Sequence, residues 1–312
     1  MGAAERMEAA EGMKATDGME TVGAVEREWE REQDFTQKKE RLLALMAEYA
    51  AQDTMVAFSG GADSSLLLKL ACDAAAETGK KVYGVTVQSK LHPVGEAGEA
   101  RRTAQEMGAI HLILTVDELE EAGITDNPTD RCYLCKKYLF RKMLERAGEL
   151  GIPVVLEGTN EDDLHVYRPG IKALKELGIV SPLAKVHMTK EEVRTLAAAY
   201  GLAAASKPAA PCLATRFPYG TPLTYGKMRR VEQGENYLKG LGLRNVRLRV
   251  HGTVARIEVD TEEFPVLMCR RAEVAAYLKG LGYGYVTLDL EGFRSGSMDD
   301  VKGDAESTNG GT

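Results

Sequence analysis

The sequence predicts an α/β protein: a parallel sheet with helices on both faces, followed by a smaller C-terminal α+β domain. Three observations carry this expectation. Short apolar runs alternate with helical stretches between Met55 and Leu156, the texture changes at a proline-rich connector from about Ser206, and an alternating pair of strands follows it. Apolar strands alternating with helices pack as a parallel sheet covered on both sides. With 312 residues, 44% of them hydrophobic, the chain can fill one large core or two moderate ones.

Taken in order, the opening "MGAAERMEAAEGMKATDGMETVGAVERE" lacks aromatic residues and apolar periodicity, so residues 1–33 read as a disordered extension. "FTQKKERLLALMAEYA" then carries Leu42, Leu43, Leu45, Met46 and Tyr49 at helical spacing. A strand (Met55 to Phe58), a helix (about Ser64 to Glu77) and a strand (Val82 to Val87) follow. "EAGEARRTAQEMG" reads as helix, "HLILTV" as strand, "YLFRKMLERAGELG" as helix and "PVVLEG" as strand. The helix "TKEEVRTLAAAYG", with Thr189 as cap, Glu192 at the capping-box position and Gly201 as stop, closes a first domain of residues 34–205.

The second domain, 206–298, opens with the connector "SKPAAPCLATRFPYGTPLT". A helix through Tyr237 and Leu238, the pair "VRLRVHGTVARIEVD", a helix "VLMCRRAEVAAYLKGLG" and a strand "YVTLDL" complete it. Residues 299–312 are too polar and glycine-rich to pack. A net charge of -7 argues against a broad nucleic-acid footprint, so no nucleic-acid partner is expected. No apolar run approaches a membrane span and no charged-then-apolar leader opens the chain, so we expect no membrane partner and a cytoplasmic protein. The sequence is compatible with a homo-oligomer and does not dictate one.

Chemistry first enters at Ser59-Gly60-Gly61-Ala62-Asp63-Ser64-Ser65. A strand that ends in this string and feeds a helix aligns successive backbone N–H groups at a helix N-terminus, which is a ready anion site. No Gly-Lys-Ser/Thr ending follows, so γ-phosphate transfer of the Walker type is not the natural reading.

The five cysteines are too few and too unevenly spaced for a disulfide framework. Cys132 and Cys135 form a C-x-x-C leading into a helix, a pattern that serves redox, zinc or packing roles alike. Cys212 sits in the connector, where the prolines ahead of it argue for an exposed, shaped loop. Cys72 and Cys269 lie in amphipathic helices and read as core thiols. Three cysteines from two loops, with no histidine beside them, suit an iron–sulfur cluster that leaves one iron open. Alternatively, Cys212 acts alone as sulfur donor.

The loop string resembles the SGGxDS loop of the PP-loop ATP pyrophosphatases. Together, "SGGADSS", "RCYLCKKYLF", "EGTNEDD…YRPG", "SPLAKVHMTKEEVR" and "KPAAPCLATRFPYG" resemble, in this order, the LarE family of pyridinium-3,5-biscarboxylate mononucleotide sulfurtransferases. The resemblance spans roughly Phe35 to Met298. It implies ATP with Mg²⁺ on Ser59, Gly60, Gly61, Asp63, Ser64 and Ser65, with α,β-cleavage, adenylation of a substrate carboxylate and sulfur transfer. The product belongs to the nickel-pincer cofactor of lactate racemase. The resemblance also implies either a sacrificial cysteine at Cys212 or a [4Fe-4S] cluster on Cys132, Cys135 and Cys212; the pair present here suits the cluster.

The remaining candidates follow from position and from the family. "EGTNEDD" ends a strand, where open sheets bind ligands, and assigns Thr159 and Asn160 to the nucleotide. Asp162 and Asp163 serve either Mg²⁺ or helix capping. A pyridinium mononucleotide carries carboxylates and a phosphate, which suits guanidinium forks. Arg247, Arg249 and Arg256 alternate onto one strand face, and the family's substrate arginines fall on Arg247 and Arg249. Arg216 and Glu235 are further candidates. The rival readings are a tRNA thiolase using a cluster, an amidating synthetase, and a nucleotide-binding regulatory module without chemistry. The source of the sulfur is unknown.

Overall fold

The computed structural model describes residues 31–91, 96–166, 168–206, 211–294 and 296–298. Most of the disordered extension and all of the glycine-rich tail expected at the two ends therefore lie outside the described residues, as do Tyr167 and Lys207–Ala210 of the quoted motifs.

Helix α1 occupies residues 31–50. Then come β1 (Thr54–Ala57), α2 (Ala62–Thr78), β2 (Val82–Gln88), α3 (Glu96–Glu106), β3 (Ile110–Thr115), the short α4 (Glu118–Glu121), α5 (Arg131–Glu149) and β4 (Val154–Leu156). The strands form one parallel sheet in the order β3-β2-β1-β4. Alternation along each strand explains why both faces are covered. Val56, Val82, Val154 and Leu156 join Leu42 and Met46 of α1 and Leu66, Leu67 and Leu70 of α2 in one core. Met55, Tyr83, Val85 and Val155 join Phe140, Met143 and Ala147 of α5 in another, on the opposite face. Gly84 lets α2 approach: a Cβ there would stand 3.2 Å from Leu68 Cδ2.

Beyond the sheet lie α6 (Glu161–Leu164), α7 (Gly170–Glu176), α8 (Pro182–Lys185) and α9 (Lys190–Ala199). α9 carries the expected capping box of Thr189 and Glu192, and Gly201 turns the chain at φ 70°. Strand order reverses between β1 and β4, and the crevice outside their carboxyl ends is where open α/β sheets take ligands.

The C-terminal part contains α10 (Tyr225–Gly240), β5 (Arg247–His251), β6 (Val254–Glu258), α11 (Phe264–Cys269), α12 (Arg271–Gly280) and β7 (Tyr285–Leu288). β5 and β6 are antiparallel, and β7 runs parallel to β6. One face of this sheet, with Leu248, Val250, Ala255 and Ile257, packs on Met228, Val231, Leu238, Val274 and Leu278. Gly234 permits the contact, since a Cβ there would fall 2.6 Å from Leu248 Cδ2. Leu91, Leu119 and Ile124 of the first part complete this core, so the two parts meet over shared apolar packing.

Two expectations are corrected. The single helix expected over "VLMCRRAEVAAYLKGLG" is broken at Arg270, and this leaves Cys269 at the end of a short helix, exposed rather than in the core. The connector is not an exposed loop: Leu213, Ala214, Arg216 and Phe217 are buried, because the chain makes a 3-10 turn at Leu213–Arg216 and docks on the shared core. Among the described residues, no helix is long and apolar enough to cross a membrane.

Candidate active site

The glycine loop is built as its residue types require. Gly60 has φ 75°, a left-handed conformation that costs glycine nothing, and Gly61 caps α2 with no side chain of its own. The serines bind one another and the backbone: Ser59 Oγ lies 3.1 Å from Ser64 Oγ, and Ser64 Oγ donates to Gly61 O at 3.2 Å. Ser65 Oγ is buried without a partner, and Ser65 and Gly60 line a cavity of about 630 Å³ between α2, α3 and the segment after α9. An orphaned hydroxyl and the amide groups of a helix start are what an anionic ligand would satisfy.

The crevice is closed from β4. Gly158 packs on the first turn of α2, where a Cβ would stand 2.9 Å from Asp63 Cβ and 3.2 Å from Ser64 N. Asn160 caps α6 through its Oδ1 and donates Nδ2 to Asp63 Oδ1 at 3.0 Å, bringing two predicted residues together across 97 positions. Thr159 turns inward instead: its N–H and hydroxyl both donate to the buried Glu157, at 3.0 and 2.9 Å. Asp162 and Asp163 act as caps, Asp163 in the box with Asn160 and Asp162 accepting from Lys190 N at 2.8 Å. Lys190, which sequence reasoning passed over, forms an ion pair with Asp63.

The three cysteines converge. Cys132 and Cys135 occupy the first two turns of α5, three residues apart and so on one face. Cys212 arrives on the connector, anchored where Leu213 N donates to Leu91 O at 2.8 Å and where Asn127 Nδ2 donates to Pro218 O at 2.7 Å. Burial pushes the Cys135 thiol up, and the neighbouring Cys212 and Cys132 add to the shift. Burial likewise raises Cys212, Arg131 opposing and Cys132 reinforcing it. The buried Arg131 therefore stands as the cation of this pocket. It hydrogen-bonds Asn127 and Ala214 O, and its Nε has no partner.

Glu118 is a second group that the sequence did not announce. It is 0% exposed, one oxygen accepts from Ser89, the other has no partner, and burial raises its pKa. Among the described residues, no group of three or more His, Cys, Asp or Glu side chains is set to hold a single metal ion. Three thiols around a four-iron cube stand farther apart than around one ion. Three sulfur donors backed by a buried guanidinium fit such a cluster by chemistry.

The arginine face is confirmed by register. Arg249 pairs with Arg256 and Arg247 with Glu258 across β5 and β6, so all four side chains share the face opposite the apolar core. Their environments differ. Arg249 is buried, donating Nε to Glu258 Oε2 at 2.9 Å and NH1 to Thr215 O at 3.0 Å. Arg256 reaches Glu258 Oε1 at 3.0 Å and Asp289 at 3.3 Å. Arg216 and Glu235, both buried, bind each other through two bonds of 2.8 and 2.9 Å, and Arg216 also donates to Cys212 O at 3.2 Å. This pair shapes the cysteine segment from within. Arg247 is half-buried, its guanidinium 5.1 Å from the Phe293 ring, its pKa lowered to about 10 by burial and then by Arg216.

A parallel sheet with a lysine-free glycine loop at the switch point defines the PP-loop ATP pyrophosphatase class. The chain is 38% identical over 264 residues to the pyridinium-3,5-bisthiocarboxylic acid mononucleotide synthase of Lactiplantibacillus plantarum, covering 85% of this chain and 94% of that protein. It belongs to that family, LarE. An uncharacterized protein of Synechocystis is 39% identical over 249 residues, 79% of this chain and 92% of its own length. The tRNA-specific 2-thiouridylase MnmA of Carboxydothermus hydrogenoformans is 30% identical over 197 residues, but that match covers 49% of this chain and 52% of the thiouridylase. No family model matches the chain.

Proposed function

We propose that this protein is an ATP-dependent sulfurtransferase. It adenylates a carboxylate of a pyridinium biscarboxylate mononucleotide and converts it to a thiocarboxylate, with AMP and pyrophosphate as the other products. The family relative named as a bisthiocarboxylic acid mononucleotide synthase supports this product class, and with it a place in making the nickel-pincer cofactor of lactate racemase. One observation carries the reading beyond the relative's name. The Cys212 segment hangs by Leu213 on Leu91, three residues past the end of β2, so thiols and glycine loop sit on one end of one sheet.

ATP with Mg²⁺ docks on residues 59–65, where helix-start amides and hydroxyls are already oriented, and residues 34–205 form the nucleotide half. Asn160, held on Asp63, lines the same crevice. In the second half, 206–298, Arg247 and Arg256 present cations to the substrate's anionic groups. Arg249, Arg216 and Glu235 hold that face in shape through their buried pairs. A substrate carboxylate oxygen attacks the α-phosphorus, the bond to the bridging oxygen breaks, and pyrophosphate leaves. The acyl-adenylate has a good leaving group where the carboxylate had none. A sulfur nucleophile then adds to the acyl carbon and AMP departs. Cys132, Cys135 and Cys212 would hold a [4Fe-4S] cluster, which when bound supplies a transferable sulfide at the iron without a cysteine. Arg131 keeps a positive charge beside these thiols.

The test is product analysis of the anaerobic full-length protein given ATP, the biscarboxylate mononucleotide and sulfide. AMP, pyrophosphate and thiocarboxylate should appear in equal amounts. ADP and free phosphate as main products would refute the reading.

A further inference from the structure

Phe293 lies outside the three apolar cores, yet its place is tightly fixed. After β7 the chain stays on the sheet ladder, Asp289 N donating to Ile257 O at 2.9 Å, and then turns through Gly292. Gly292 has φ 74°, and a Cβ there would stand 2.9 Å from Thr261 Cγ2 and 3.1 Å from Val259 O, so the turn requires glycine. It returns Phe293 to the end of β6, where its N–H donates to Val259 O at 2.8 Å. Apolar packing does not account for this placement. The half-buried ring meets a cation instead, the Arg247 guanidinium, 5.1 Å from its centroid.

Its chain neighbours hold the ring on the arginine face. Asp289 pairs with Arg256 at 3.3 Å, Ser297 Oγ donates to Glu258 Oε1 at 2.7 Å, and Met298 Sδ lies 3.7 Å from Arg256 NH2. The same face borders the cysteine segment: Arg249 donates to Thr215 O, and Arg216, whose charge is felt at Arg247, donates to Cys212 O. The arginines gathered here suit carboxylates and a phosphate, but they repel a ring that is itself a cation. An aromatic face does the opposite, because its quadrupole attracts positive charge.

We propose that the Phe293 ring is the platform for the pyridinium ring of the substrate, which takes over the aromatic face from Arg247 while that guanidinium turns to a substrate carboxylate or phosphate. This rests on the arginine face's being the substrate site. Phe293 makes and breaks no bond. It is a specificity-determining residue: the arginines recognise the anionic arms, and Phe293 recognises the positive charge of the ring that carries them. A mononucleotide with the same arms on an uncharged ring gains nothing from it.

Two ligands isolate the ring charge: the pyridinium biscarboxylate mononucleotide, and its dihydropyridine form made by dithionite reduction, which keeps the carboxylates, ribose and phosphate on an uncharged ring. Calorimetric titration of the full-length protein with each gives a ratio of affinities, and the pull of the arginines cancels when that ratio is compared between variants. Phe293→Leu, which keeps apolar bulk without a π face, should weaken the pyridinium form by about threefold to thirtyfold and leave the dihydropyridine form within about twofold. Phe293→Trp, with a stronger π face, should keep the wild-type ratio or raise it. An unchanged ratio in Phe293→Leu, whether both forms weaken equally or neither does, would overturn the proposal. So would a ratio in Phe293→Trp as low as in Phe293→Leu. A wild-type protein that binds neither form would instead overturn the substrate reading of the arginine face, and this proposal with it.

Discussion

The two ends of the site manage charge in opposite ways. Around Ser59–Ser65 the anion-binding groups belong mainly to the backbone and to serines that bond one another, and the nearby ion pair, Lys190 with Asp63, is half-solvated. Around Cys212 most of the charge is carried by buried side chains already paired, Arg216 with Glu235 and Arg249 with Glu258. The first arrangement costs little when empty and can adapt to a ligand that comes and goes. The second is expensive to assemble, since each buried ion must be matched, but it fixes a shape. A loop that exchanges nucleotide at every turnover suits the first device. A segment that must hold three thiols in register suits the second.

Breaking one buried pair tests that contrast most severely. Glu235→Ala strands Arg216 and also removes the acceptor of Leu248 N, so stability should fall by about 3–5 kcal/mol in denaturant titration. A fall below about 1 kcal/mol would mean that the cysteine segment is not held from within. The loop should fail differently. Gly158→Ala pushes on Asp63 Cβ and Ser64 N, displacing the loop rather than unfolding the protein. ATP turnover should drop roughly a hundredfold, the usual cost of an ångström-scale misplacement, with nearly unchanged unfolding.

Smaller effects sharpen the comparison. Arg247 is half-buried beside the Phe293 ring, and Arg247→Ala should weaken substrate binding about tenfold in a titration, with ATP affinity unaltered. Glu118 should report its burial through pH. Its folded pKa lies above the ordinary 4.5, so the unfolded chain ionises first and stability declines as pH rises from 4.5 to the raised folded value, then levels. Glu118→Gln should abolish that slope and raise stability near neutral pH in thermal melts.

Much of this was legible where the physics is local. The strand-to-helix turn, the Thr189–Glu192 box and the period-2 arginine face all depend on neighbours a few residues away, and each stands as expected. What escaped depends on distant partners. Nothing near Arg216 announces Glu235, and Arg131 reads as an ordinary helix-start cation until Asn127 and Ala214 are beside it. Cys269 was misjudged because a helical period continues through Arg270 although the helix does not. Lys190 left one readable trace: a lysine at the first position of a capped helix runs against the helix dipole.

The central claim is that Cys132, Cys135 and Cys212 serve together as a reusable holder of sulfur. Mass spectrometry of protein and product after several anaerobic turnovers with heavy-isotope sulfide tests it most directly. The heavy sulfur should appear in the thiocarboxylate, with product exceeding protein and all three cysteines at full mass. Product limited to one equivalent, carrying ordinary sulfur, with residue 212 lighter by one H₂S, would contradict it.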